Sequence, residues 1–260
     1  MIDTHSHIYL EEFSGEEDAV VSRAKEAGVS HIILPNVDFE DFERMHALHS
    51  RYPEYTSMAM GLHPTSVTED YAQDLDRTLE EIYRHRDKYV AVGEIGMDLY
   101  WDEQFKAQQE AVLKAQLTVA NECSLPVIIH CRKALREMLD VLDMTATHYT
   151  PMVMHSFTGT AEEVREIRRR SDKCEFYFGM NGICTFKKAN LENTILEIGI
   201  EHILTETDSP YLAPVPNRGK RNESAYVRFV LNKLSEVFSK SIEEMDSITT
   251  TNAKRLFGLK

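Results

Sequence analysis

The feature that most narrows the fold of this chain is a series of short apolar runs, each ending on a residue able to bind a metal ion. The runs are Met1–His7, Val90–Glu94, Val127–His130 and Met152–His155, and a later one, Ile203–Asp208, ends on a carboxylate. A strand that stops on such a residue presents it at its C-terminal edge, and in an α/β barrel that edge carries the chemistry. From His5 through His63, Glu94, His130 and His155 to Asp208 the steps are 58, 31, 36, 25 and 53 residues. The total of 203 residues is seven units of 29, and the two long steps are each close to two units. Unmarked strands near His31–Pro35 and Cys174–Phe178 fall inside them. The spacing therefore predicts eight strands separated by one helix each, a closed parallel barrel. An open doubly wound sheet would gather its site at one switch point instead.

Composition agrees with a single domain. At 260 residues the chain has the size of one (β/α)8 TIM barrel, which takes about 250. Its 42% apolar and 28% charged content suits a large buried core, and no stretch reads as a linker, so residues 1–260 form one unit. The N-terminus lacks the basic and apolar segments of a signal peptide, and no apolar run approaches the ~20 residues that cross a bilayer. Cys123, Cys131, Cys174 and Cys184 form no CxxC pair and read as reduced thiols of a cytoplasmic enzyme with no membrane partner. A net charge of −14 argues against a broad nucleic-acid-binding face. It leaves room for a small site, where divalent cations would offset the acidic ligands and attract phosphate. A bound nucleic acid should be short, single-stranded or held by its end.

Helical periodicity falls between the runs. Glu103–Cys123 carries Phe105, Val112, Leu113, Leu117 and Ala120 on one face, with Gln and Glu on the other. Tyr226–Phe238 repeats the pattern, Glu16–Ala27 is closed by Gly28, and Ser241–Phe257 forms a last covering helix. Loops of unusual composition follow the strands: Gly61–Pro64, Gly93–Asp98, His155–Gly159 and Asn217–Asn222.

The candidate site residues gain weight from one another. His5 and His7 flank Ser6, so on a strand both imidazoles point to one face and can clamp a divalent ion. Glu94 ends an apolar strand, where a buried carboxylate needs a cation, either a metal or a partner such as Arg132. His130 and His155 would each pass alone for core histidines, but together they favour a metal. Asp208, before Ser209-Pro210, is the candidate both to touch metal and to take a proton from water. The other histidines, His31, His46, His49, His85, His148 and His202, read as surface or scaffold. Arg168-Arg169-Arg170 reads as a solvated helix end. Trp101 could stack on a base or cap the barrel as part of a loop.

These motifs in this order resemble the TatD family of metal-dependent deoxyribonucleases, an amidohydrolase-like branch. The resemblance rests on Asp3–His7, Gly61–Pro64, Gly93–Gly96, Ile129–Arg132, His155–Gly159 and Glu206–Pro210. It implies two divalent metal ions, Mg2+ foremost, with Mn2+ and Zn2+ chemically admissible. It implies that His5, His7, Glu94 and Asp208 hold one ion, and that Glu94, His130 and His155 hold the other, with Glu94 shared. His63 and Arg132 match positions of substrate-phosphate contacts. Two departures stand out: Asn222-Glu223-Ser224 where relatives often carry Asn-Glu-Pro, and Met97 and Leu99 where they tend to Leu and Tyr. The implied activity is hydrolysis of DNA phosphodiesters by a metal-activated water, acting from the 3′ ends of single strands, with Glu94 and Asp208 catalytic. The alternative keeps barrel and metals but cleaves another bond, such as a D-aminoacyl-tRNA ester or a cyclic amide. A binding protein with a relic site is a third reading, disfavoured by the complete ligand set.

Overall fold

The computed structural model describes all residues, 1–260, and no helix in it is long and apolar enough to cross a membrane. Its strands are β1 (Ile2–Asp3), β2 (His31–Pro35), β3 (Thr56–Met60), β4 (Tyr89–Asp98), β5 (Val127–Arg132), β6 (Met152–Met154), β7 (Phe176–Met180) and β8 (Ile203–Thr205). Between them run α1 (Glu17–Glu26), α2 (Phe39–Arg51), α3 (Tyr71–His85), α4 (Lys106–Cys123), α5 (Leu135–Thr145), α6 (Ala161–Arg168) and α7 (Glu192–Ile198). Two more helices, α8 (Val227–Phe238) and α9 (Ile242–Phe257), follow β8. All strand pairs are parallel and in chain order, which makes this a (β/α)8 TIM barrel.

The barrel closes through side chains as much as through a ladder. The Thr4 amide and hydroxyl both donate to the Thr205 carbonyl, and the Thr205 hydroxyl donates to the Ile2 carbonyl. One residue from each strand fills the interior: Ile2, Ile33, Ala59, Ala91, Ile128, Val153, Tyr177 and Leu204. Bulky Tyr177 on β7 lies across from small Ala59 on β3, so the layer fills without overpacking. Ala253, Leu256 and Phe257 of α9 pack against this layer and close the floor. A larger apolar shell lies between strands and helices.

Several boundaries differ from expectation for local reasons. β1 is only two residues long, so His5 and His7 lie beyond it; Ser6 instead makes an isolated parallel bridge to Ser209. β4 does not end at Glu94 but continues to Asp98, because its pairing with β5 shifts register between Val92 and Ile95. α4 begins at Lys106, and two of its glutamines do not face water: Gln109 and Gln116 are buried. Each amide clamps a rim residue's backbone, Gln116 at Leu62 and Gln109 at Asp98, which satisfies groups that burial would otherwise leave unpaired. α1 stops where Gly28 takes a φ of 87°. Arg168 and Arg170 are not simply solvated: Arg168 donates to the Glu197 and Ile198 carbonyls at the end of α7, and Arg170 pairs with Asp143. All four cysteines are free thiols.

Candidate metal centre

The C-terminal mouth gathers His7, His63, Glu94, His130, His155 and Asp208 around one cavity of about 850 Å³, with fully buried His5 against Glu94. Glu94 organises it. Its Oε2 lies 3.0 Å from His5 Nε2 and 3.7 Å from His7 Nε2. Its Oε1 lies 2.9 Å from His130 Nδ1, 3.4 Å from His63 Nε2 and 3.7 Å from His155 Nε2. Asp208 Oδ1 stands 3.6 Å from His155 Nε2, 3.7 Å from His7 Nε2 and 3.9 Å from His5 Nε2. One carboxylate thus faces two sets of imidazoles with different oxygens.

Electrostatics make the cluster costly without a cation. Burial opposes ionisation of Glu94, but His5, His155, His63 and His130 outweigh it and hold the carboxyl well below its usual range. Asp208 is likewise lowered against the cost of burial by His155, His7 and His5. Burial drives His5 down to about 4, helped by His155, and lowers His63. Against the same burial, Asp98 and Glu94 raise His130 to about 9, and Glu206, Glu94 and Asp208 raise His155 to about 10. The two raised imidazoles, His130 and His155, face four carboxylates, Glu94, Asp98, Glu206 and Asp208, so protons alone do not balance the charge. Nitrogens also crowd one another, His5 Nε2 at 3.0 Å from His7 Nε2 and His63 Nε2 at 3.2 Å from His130 Nδ1, and buried His5 Nδ1 has no partner. Imidazole and carboxylate donors converging with too few protons among them fit divalent cations.

Behind the donors lies a supporting layer that sequence reasoning did not single out. Asp98 Oδ2 is 2.9 Å from His130 Nε2, and Glu206 Oε1 is 2.9 Å from His155 Nδ1. The Tyr9 hydroxyl, 3.0 Å from His7 Nδ1, donates onward to the Pro35 carbonyl. Such partners fix which ring nitrogen faces inward. Glu206 has room only because residue 179 is glycine: a Cβ there would lie 2.1 Å from Glu206 Oε2. Asp3 is not among the donors. It accepts from the Thr207 amide at 2.9 Å and hydroxyl at 2.7 Å, pinning the turn that carries Asp208, and burial pushes its own pKa up to about 7. Ser6 Oγ meets Ser209 Oγ at 2.7 Å and Ser224 Oγ at 3.0 Å, so Ser224 braces the His5/His7 segment.

Arg132 does not pair with Glu94. Its guanidinium lies 3.6 Å over the Tyr100 ring, at the exposed edge of the cavity. His63 is drawn closer to the donors than its expected phosphate-contact role requires, forming a group with Glu94 and His130. The remaining histidines lie off the mouth: His31 Nε2 is 2.8 Å from Ser57 Oγ, and His46 Nε2 is 3.1 Å from the Tyr89 hydroxyl.

A parallel barrel whose mouth carries imidazoles and carboxylates divided about one shared Glu is the build of a metal-dependent hydrolase. A family model described as TatD related DNase matches residues 2–258. The Bacillus subtilis (strain 168) protein named Uncharacterized metal-dependent hydrolase YabD is 36% identical over 258 residues, 99% of this chain and 98% of the relative. The Pectobacterium carotovorum protein named 3'-5' ssDNA/RNA exonuclease TatD is 30% identical over 267 residues, 100% of both chains. The crystal structure of YjjV, a TatD homologue from Escherichia coli, matches with a TM-score of 0.90 at 30% identity, over 100% of this chain and 98% of that one. This chain belongs to the TatD family of metal-dependent hydrolases.

Proposed function

We propose that this protein is a cytoplasmic, two-metal deoxyribonuclease that removes nucleotides from the 3′ ends of single-stranded DNA. The observation that carries the reading is the division of Glu94, with Oε2 toward His5 and His7 and Oε1 toward His130, His63 and His155. That division would suit a carboxylate shared between two cations, with His5, His7 and Asp208 offered to one and His130 and His63 to the other, while His155 groups with His5 and Asp208 and also faces Glu94 Oε1. Divalent cations at such a site, when bound, acidify water and offset the charge of phosphoryl oxygens. Mg2+ is the expected ion by resemblance, while five imidazoles would also suit Mn2+ or Zn2+.

The chain's own residues do the rest. Asp208, held ionised by its imidazole neighbours, accepts the proton of the attacking water at a carboxylate oxygen. Arg132, exposed at the cavity edge, can present a planar fork to a phosphate, which a cyclic-amide hydrolase has less need of. His63, 3.4 Å from Glu94 Oε1, can donate to a phosphoryl oxygen. The name carried by the Pectobacterium relative, an exonuclease on single-stranded DNA and RNA, supports the substrate class.

The test is hydrolysis of end-labelled single-stranded DNA with Mg2+ or Mn2+, beside EDTA and a Glu94→Ala/Asp208→Ala variant. Stepwise shortening from the 3′ end, lost in both controls, is the expected result. Intact DNA after incubation with folded, metal-loaded protein would overturn the reading and move attention to aminoacyl-tRNA esters and cyclic amides.

A further inference from the structure

The two sides of the mouth differ in charge and chemistry. The segments after β1 and β2 line it with Glu11, Glu12, Glu40 and Asp41, against one cation, Arg44. Arg44 is itself engaged, 3.2 Å from Asp41 and 3.9 Å from Glu11. In an eight-stranded barrel β5 stands opposite β1, and there the lining is Arg132, with Trp101 from the segment after β4. Trp101 is 75% exposed and Tyr100 47% exposed, so neither caps the barrel. The three side chains are nevertheless ordered against one another. Arg132 covers the Tyr100 ring at 3.6 Å and lies 5.6 Å from the Trp101 ring, while Trp101 meets Tyr100 edge to face at 4.9 Å. The neighbouring Asp102 and Glu103 do not line the cavity.

An exposed indole costs free energy in water, and one braced by a guanidinium–phenol stack beside a phosphodiesterase site is prearranged for a flat, uncharged partner on an anionic chain. Charge selects the side. A polyanion crossing toward Glu11, Glu12, Glu40 and Asp41 meets repulsion, whereas one leaving over Arg132 does not. Building on the nuclease reading, we infer that Trp101 is a nucleobase platform: it stacks a base of the single strand next to the scissile phosphate, and the carboxylate arc opposite keeps the strand from running through. The site would then take a chain end.

Trp101 is the only tryptophan in the chain, so its fluorescence reports on this surface alone. With divalent cation present, the full-length protein is titrated with a phosphorothioate-linked deoxythymidine octamer, which resists hydrolysis, and with an abasic oligomer of the same length. Saturable quenching by the octamer, and much weaker quenching by the abasic oligomer, is expected. In a parallel assay Trp101→Ala raises KM for single-stranded DNA by roughly five- to a hundredfold with little change in kcat, and Trp101→Phe recovers most of the loss. Quenching that is absent or independent of bases, or an unchanged KM in Trp101→Ala, overturns the platform. The outcomes separate from those of the nuclease reading. Hydrolysis without base-dependent quenching removes the platform alone. Base-dependent quenching without hydrolysis keeps the platform and removes the phosphodiesterase.

Discussion

The floor and the mouth of this barrel are built from the same eight strands and follow opposite rules. At the floor, eight inward residues and three from α9 form a closed apolar layer in which the work is packing. At the mouth, a few residues farther along those strands, histidines and carboxylates are buried together at a cost that packing cannot offset. The floor therefore makes the barrel stable, and the mouth spends some of that stability on binding cations. Substitutions at the two ends should separate cleanly into effects on folding and effects on hydrolysis.

The largest expected effect is at the mouth. Glu94→Ala should lower hydrolysis by about a thousandfold or more, because both donor groups lose their shared carboxylate. Its melting temperature should change by only about 3 °C, since the imidazoles can shed their protons once Glu94 is gone. Calorimetry that found the variant unfolded would break the contrast. Next come the supporting carboxylates. Asp98→Asn and Glu206→Gln should each weaken metal affinity or activity about 10–100-fold, measured by metal titration, while the fold persists. At the floor the sign of the contrast reverses. Leu204→Ala should cost about 2–5 kcal/mol in denaturant unfolding, with kcat of the folded fraction unchanged. A large loss of kcat there would mean that floor packing sets the donor positions.

The pH response sharpens the same comparison. In EDTA-treated protein the neighbouring carboxylates should raise His130 to about 9 and His155 to about 10, above the ordinary imidazole value of about 6.5. A raised value in the fold means a stabilising contribution complete below about pH 6.5 and lost as pH rises through 9 and 10. The melting temperature of the EDTA-treated protein should fall across that window. Saturating Mn2+ should flatten the decline, because cation binding uses the neutral rings. An equal slope with and without metal would show that these protons and the cation do not compete. The smallest effect belongs to the acidic side of the mouth. Glu12→Gln/Glu40→Gln should lower KM for a single-stranded oligomer about two- to fivefold at low salt, with the gain erased near 1 M salt.

The barrel was legible because parallel strands buried on both faces read as apolar runs, and because a ligand at the end of each run repeats at one strand–helix unit. The same rule explains what stayed hidden. Asp98 looked like a loop residue because the register shift in β4, which carries the strand four residues past Glu94, leaves no mark in the hydrophobic pattern. Glu206 stands two residues before Asp208, the spacing that made His5 and His7 conspicuous, and that signal was available. Gln109 and Gln116 were placed on the wet face of α4 from polarity alone; their buried amides answer backbone groups that no sequence pattern displays. Trp101 remained open between base stacking and capping until its exposure removed the cap.

The seam between β1 and β8 bears on how the enzyme comes into being. His5 and His7 leave the ribosome early, whereas Asp208 and the Thr207 that binds Asp3 emerge only after all eight strands have been made. Ser224, which braces Ser6, comes later still. A nascent or truncated chain that ends before this seam is stitched carries most of the donors but lacks the carboxylate that completes them. The donor set is thus completed only when the polypeptide is nearly finished.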